Sequence, residues 1–306
     1  MRKEIDEKKL IAFFTIVFFV SMVVSVGDGN AVDESLSVFV PILDKLDLSP
    51  AEQDEDKVIN VSADGALSDF LLPLEDSADE GGKIQESYSL SQGAKILIYH
   101  THTTEAYRQA DEDLYQEQTP WRTTDNEHNV VRVGEELKKH LEALGYTVIH
   151  DTTNHEPPSL STSYSRSEET MNAYLKKYPE IEMFIDLHRD ASGDDNTEDF
   201  VKVDGKECAR LMFVVGKGTR KSDEGKPKPD WKKNIKLARA LTKQLDTYSE
   251  RLTRNVRLKT GRYNQNVSNK CLLVEVGHNM NTLQQAINAT EYLAKAIAGI
   301  VPMADT

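Results

Sequence analysis

Apolar residues are distributed in three different ways along the chain. Leu10 to Val26, LIAFFTIVFFVSMVVSV, is a continuous run of 17 residues without a charge. From 28 to about 91 the apolar positions shrink to islands such as Phe70-Leu71-Leu72, set among Asp, Glu, Ser and Gly. From Lys95 onward they recur at the periods of folded structure, about 2 for strands and about 3.6 for helices. Ile96-Leu97-Ile98-Tyr99 reads as a buried strand. Val130, Val133, Leu137, Leu141 and Leu144 mark one face of a helix, and Gly145 stops it. Tyr146 to Ile149 and Met183 to Leu187 read as further strands. Val201-Lys202-Val203, Asp204-Gly205 and Ala209 to Val215 predict a hairpin around a tight turn. Ile235 to Leu245 predicts an amphipathic helix, Cys271 to Val276 a buried strand, and Thr282 to Ile300 a last helix. Strands alternating with helices imply an α/β domain, with a mixed, largely parallel central sheet flanked by helices.

The uncharged run is at the short end of what crosses a bilayer and longer than most signal-peptide cores. Arg2, Lys3, Lys8 and Lys9 precede it, whereas Asp28 and Asp33 follow and no base appears before Lys45. The positive-inside bias therefore makes residues 1–9 a cytoplasmic tail and 10–27 a single-pass transmembrane anchor, and it exports the rest. A cleaved signal peptide is the alternative, with Ser25-Val26-Gly27 as a loose cleavage site. Residues 28–91 read as an acidic stalk or linker, which leaves 92–306 as the folded domain. A net charge of −14 excludes broad binding to nucleic-acid phosphates. Cys208 and Cys271 are too few for a disulfide framework or a cysteine metal knuckle.

Ligands of open α/β sheets bind beyond the carboxyl ends of the strands, and three strand ends here carry unusual residues. They are His100-Thr101-His102-Thr103-Thr104-Glu105, Asp186-Leu187-His188-Arg189-Asp190, and Glu275-Val276-Gly277-His278. Neutral imidazole and carboxylate are the usual zinc donors where thiolates are absent, and hydrolytic zinc keeps three protein ligands and one open position. A histidine at a strand end is also a common hydrogen-bonded residue of no chemical role. Glu275, among Leu273, Val274 and Val276, is costly to bury without a partner, which a structural ion pair would also supply. Glu127 opens the first helix in Thr124-Asp125-Asn126-Glu127, which also reads as a capping box. Spacing alone does not choose between Glu127 and Glu105 as a third donor.

The wordings YHTHTTEAY from Tyr99, FIDLHRDA from Phe184 and LLVEVGHNMN from Leu272 resemble the stage II sporulation protein P family. More broadly they resemble zinc-dependent N-acetylmuramoyl-L-alanine amidases. The resemblance covers about Lys95 to Ile300 and the single anchor. It implies that His102, Glu127 and His188 bind Zn2+ and that Glu275 is catalytic. The amidases carry a Gly-rich turn where this chain has Tyr99-His100-Thr101-His102. Aligning the strands puts His102 on the ligand and His100 on a proline, so His100 is the second choice. The implied reaction cuts the amide between N-acetylmuramic acid and L-alanine of the peptidoglycan stem peptide. The sporulation family is also credited with endopeptidase activity on cross-links. The implied setting is the septal membrane during engulfment, with a lytic transglycosylase and a multi-span membrane protein as partners. Arg189, beside His188, is expected either to hold a stem-peptide carboxylate or to form a structural salt bridge. Two other readings compete. One is a zinc carboxypeptidase-like exopeptidase built on the His102-x-x-Glu105 spacing, and the other a metal-free wall-binding scaffold.

Overall fold

The computed structural model describes residues 88–191 and 199–304. The expected tail and anchor, and the stalk as far as 87, lie outside them. Among the described residues no helix is long and apolar enough to cross a membrane. The strands are β1 (Lys95–Tyr99), β2 (Thr147–His150), β3 (Ile181–Asp190), β4 (Phe200–Val203), β5 (Lys206–Ala209), β6 (Leu211–Gly216), β7 (Arg257–Lys259) and β8 (Cys271–His278). The helices are α1 (Val130–Ala143), α2 (Ser163–Lys177), α3 (Trp231–Asp246) and α4 (Leu283–Ile300).

Six strands form one sheet in the order β2-β1-β3-β8-β6-β7, and β4 with β5 forms a separate hairpin. β2, β1, β3 and β8 run parallel, and β6 lies antiparallel to β8 with β7 parallel to β6. The expected mixed, largely parallel sheet with flanking helices is what the chain forms. The hairpin differs from expectation. Asp204 and Gly205 both have positive φ, at 49° and 78°, and make the turn as expected. The strand after the turn breaks at Arg210, however. Its first part, β5, completes the hairpin, and β6 enters the main sheet. At the break the Arg210 guanidinium bonds the carbonyls of Arg251 and Thr253 and the carboxylate of Asp199.

Side chains alternate across the strands, so each central strand feeds two cores. Ile96, Ile98, Met183, Ile185, Leu187, Leu272, Val274 and Val276 pack with α1, α3 and α4. Leu97, Tyr99, Phe184 and Cys271 pack with Met171 of α2 on the other face. That second core is small. It leaves the carboxyl ends of β3 and β8 uncovered by apolar side chains on the α2 face. Cys208 and Cys271 are both buried and free.

α1 presses against the sheet at Gly134. A Cβ there would stand 2.7 Å from His150 Nε2 and 2.8 Å from His100 Nε2. In an unconstrained helix interior Gly→Ala stabilises by about 1 kcal/mol. Here the two imidazoles are packed and hydrogen-bonded to each other, so Gly134→Ala overpacks. We expect it to destabilise by about 1–3 kcal/mol in equilibrium denaturation. Unchanged or raised stability would contradict this packing.

Candidate functional site

The site grows from strand register. His188 of β3 is the Cα partner of Glu275 of β8, so the two side chains emerge side by side on the α2 face. Asp186, two residues before His188, shares that face. It is 1% exposed, which is severe for a carboxylate. Thr101 compensates by donating its backbone N–H at 2.8 Å and its hydroxyl at 2.7 Å. Burial alone would raise the Asp186 pKa, but His188 and these two bonds outweigh it and hold the pKa below its ordinary value.

His102 and Glu105 close one turn after β1, with Glu105 N donating to His102 O. The Glu105 carboxylate accepts from Arg189 N at 3.1 Å, and its Oε2 stands 3.3 Å from His188 Nδ1. Arg122 approaches its other oxygen at 3.6 Å. The His188 ring thus lies between two carboxylates, because its Nε2 is 2.9 Å from Asp186 Oδ1. That second contact is close but off the hydrogen-bond direction, so it acts as an ionic attraction rather than a directed bond. Burial opposes charge on His188, and Asp186 and Glu105 overcome it, raising its pKa well above the ordinary value. Burial works against the Glu105 charge too, and the neighbouring His188 and Arg189 more than offset it, holding the carboxyl well below the usual range. The His102 ring meets the His188 ring edge-on at 5.4 Å. Burial lowers the His102 pKa to about 4. Burial, with Asp190 adding to it, pushes Glu275 up to about 8.

The structure therefore brings together His102, Glu105, His188 and Glu275, with Asp186 behind. It does not bring Glu127 to them. Helix α1 starts at Val130 under an Asn129 cap rather than a Thr124 capping box. Glu127 lies in the turn before that cap, its side chain 79% exposed and 4.0 Å from Arg132 Nε. His100 is also committed elsewhere. Its Nδ1 is 2.8 Å from Leu187 O, where it must donate, and its Nε2 is 2.9 Å from His150 Nε2.

Among the described residues, no three His, Cys, Asp or Glu side chains are already arranged around a common metal position. The donor set nevertheless suits one. His102 Nδ1 and Glu275 Oε2 are buried without a hydrogen-bond partner. Such atoms cost about 1–3 kcal/mol each, and two of them beside the His188 imidazole and the Glu105 carboxylate fit a cation better than a packed core.

Arg189 directs its guanidinium at backbone carbonyls. Its guanidinium donates to the carbonyls of Ala106 at 3.0 Å, Trp121 at 3.0 Å and Asp190 at 3.4 Å. It staples the segment between β1 and α1 onto β3. Lysine cannot reproduce that planar fork, so Arg189→Lys should cost about 2–4 kcal/mol of stability in urea titration. Parental stability in that variant would show that the staple is dispensable.

The chain matches the profile of stage II sporulation protein P over residues 41–298. Stage II sporulation protein P of Bacillus subtilis (strain 168) is 31% identical over 208 residues, 63% of this chain and 48% of that protein. The matched segment is thus about half the length of that curated relative. Similar solved structures include the CwlD amidase from Clostridioides difficile in complex with the GerS lipoprotein. It has a TM-score of 0.43 and 15% identity over 67% of this chain and 94% of that one. The N-acetylmuramyl-L-alanine amidase Ami1 from Mycobacterium smegmatis gives a TM-score of 0.39 and 10% identity, covering 70% and 98%. The N-acetylmuramoyl-L-alanine amidase AmiC2 of Nostoc punctiforme gives 0.38 and 14%, covering 68% and 94%. With the profile matched over most of its length, the chain belongs to the stage II sporulation protein P family.

Proposed function

We propose that this chain is a zinc-dependent peptidoglycan hydrolase of sporulation, cutting the amide between N-acetylmuramic acid and L-alanine of the stem peptide. The observation that carries the proposal is the gathering of His102, Glu105, His188 and Glu275 on one sheet face, in a chain of this family. His102, Glu105 and His188 are the proposed ligands, with Glu105 in place of the expected Glu127. Glu105 Oε2 faces His188 Nδ1 at 3.3 Å and the His102 ring lies edge-on against His188, so the three side chains that would hold the ion are already neighbours.

Bound zinc would supply an acidified water and a positive charge near the scissile carbonyl. The rest falls to the chain. Asp186 stands against the Nε2 side of the His188 ring, and Glu105 faces its Nδ1. Glu275, beside His188, takes the proton of the attacking water and delivers it to the leaving amine of L-alanine. Arg122 and the Arg189 N–H keep the Glu105 carboxylate ionised and in place.

The domain would act outside the cytoplasm from an N-terminal anchor, with a transglycosylase and a multi-span membrane protein as proposed partners. One observation favours a second reading. His102 and Glu105 belong to the His-x-x-Glu spacing of zinc exopeptidases, and the turn brings both to His188. The same experiment separates the two. Full-length protein is incubated with purified peptidoglycan and the products are identified by mass spectrometry. The amidase reading predicts intact stem peptides with a free L-alanine amine, whereas release of terminal D-alanine would support the exopeptidase. Glu275→Gln should cut the rate by about 10² to 10⁴ with zinc content and fold retained. Near-parental cleavage would remove Glu275 from proton transfer.

A further inference from the structure

Beyond the metal cluster, the ring of His102 continues into two tyrosines. Tyr164 of α2 meets His102 edge-on at 5.7 Å, and Tyr263 meets Tyr164 edge-on at 5.4 Å. Both tyrosines are half-buried, so each keeps accessible surface. Tyr263 packs on Met212, Val214 and Leu273. Leu273 is two residues from Glu275 on β8 and so shares its face. The two rings therefore form a continuous ledge that touches His102 at one end and at the other rests on the sheet face that carries Glu275.

The ledge is held in place by structure that a passive surface would not need. Tyr263 and Asn264 have φ of 49° and 52°, the left-handed region, which asparagine enters readily but a bulky tyrosine rarely does. Such outliers persist only where their surroundings enforce them, and they cluster at working sites. Here the enforcement is visible. Asn264 donates its amide to Tyr164 O at 2.8 Å and to Ser167 Oγ at 3.0 Å. Ser167 bonds Thr101, and Thr101 donates to Asp186, the carboxylate behind His188. A Cβ on Gly216 or Gly261 would strike the Tyr263 ring at 2.8 Å, so both glycines leave room for it. The ledge and the His188 ring thus hang on one hydrogen-bonded chain.

The chemistry of the ledge suits a neutral ring. The nearest cation on the same segment, Arg262, is spent on Glu168 through two bonds of 2.6 and 2.5 Å and on Asn266. It offers no unspent charge to an anionic peptide. Partly exposed aromatic rings offer instead an apolar face, which matches the C–H face of a pyranose. We propose that Tyr164 and Tyr263 bind the muramoyl sugar ring and so set the lactyl amide against Glu275. This rests on the amidase reading above, with the sugar on the ledge and the stem peptide leaving on the opposite side.

The test uses the full-length chain with Glu275→Gln, which slows turnover, and two probes: peptide-free glycan strands and free stem peptide. Tyr164→Ala and Tyr263→Ala should each weaken glycan binding about tenfold. Tyr263→Phe, which keeps the ring, should stay close to the parent, and stem-peptide binding should not change. Unchanged glycan affinity in both alanine variants would overturn the ledge, as would a loss confined to the peptide probe or a parent that binds no glycan. If Tyr263→Ala unfolds, the half-exposed Tyr164 decides the matter alone. A parent that binds glycan through both tyrosines yet never cuts the muramoyl amide would sink the amidase reading and leave the ledge standing.

Discussion

His188 sits inside a parallel sheet with a carboxylate on each side of its ring, Asp186 on its own strand and Glu105 from the turn after β1. Burying three ionisable groups together is expensive unless each is bonded. Much of the surrounding structure meets that requirement. Thr101 satisfies Asp186, and the Arg189 N–H satisfies Glu105. Arg122 links Glu105 to Glu156, which in turn holds Thr104. The segment between β1 and α1 has no long element of its own, yet it is ordered by these bonds and by the Arg189 staple. Removing any one of the three would leave a buried charge less well compensated, so His188, its two carboxylates and the loop support one another.

The same constraint sets the two faces of the sheet apart. The opposite face of β3 and β8 is filled by Leu187, Val274 and Val276 under three helices. The α2 face carries a small core, and beyond it the strand ends present His188 and Glu275 in register. A rigid sheet fixes their separation, and the turn bearing His102 and Glu105 closes over them. That combination of rigid strands and a pinned loop is how a reacting group is held to the accuracy that catalysis needs.

Much of this was legible in the residues, and the exceptions have physical causes. Strongly periodic segments, such as those of α1, α3, α4, β3 and β8, could be read directly. α2 could not, because its buried face is Ser163, Ser167 and Met171, too small and polar to register as an apolar stripe. His102, His188 and Glu275 stood out as polar residues at or in apolar strands. Asp186 carried the same signal as Glu275, a carboxylate inside an apolar run, and the same argument would have found it. That Glu105, and not Glu127, stands against His188 lay beyond the pattern. It depends on Arg189 and Arg122 reaching back across the loop, contacts that no local periodicity encodes. Tyr164 and Tyr263 are 99 positions apart in the chain and meet only through the fold.

The central claim is that Glu105, rather than Glu127, completes a zinc site with His102 and His188. Zinc content of purified full-length protein, by elemental analysis after removal of loosely held metal, tests it most directly. The account predicts about one zinc in the parent and in Glu127→Gln, and a large loss in Glu105→Gln and in His188→Ala. Full zinc in Glu105→Gln with loss in Glu127→Gln would contradict it.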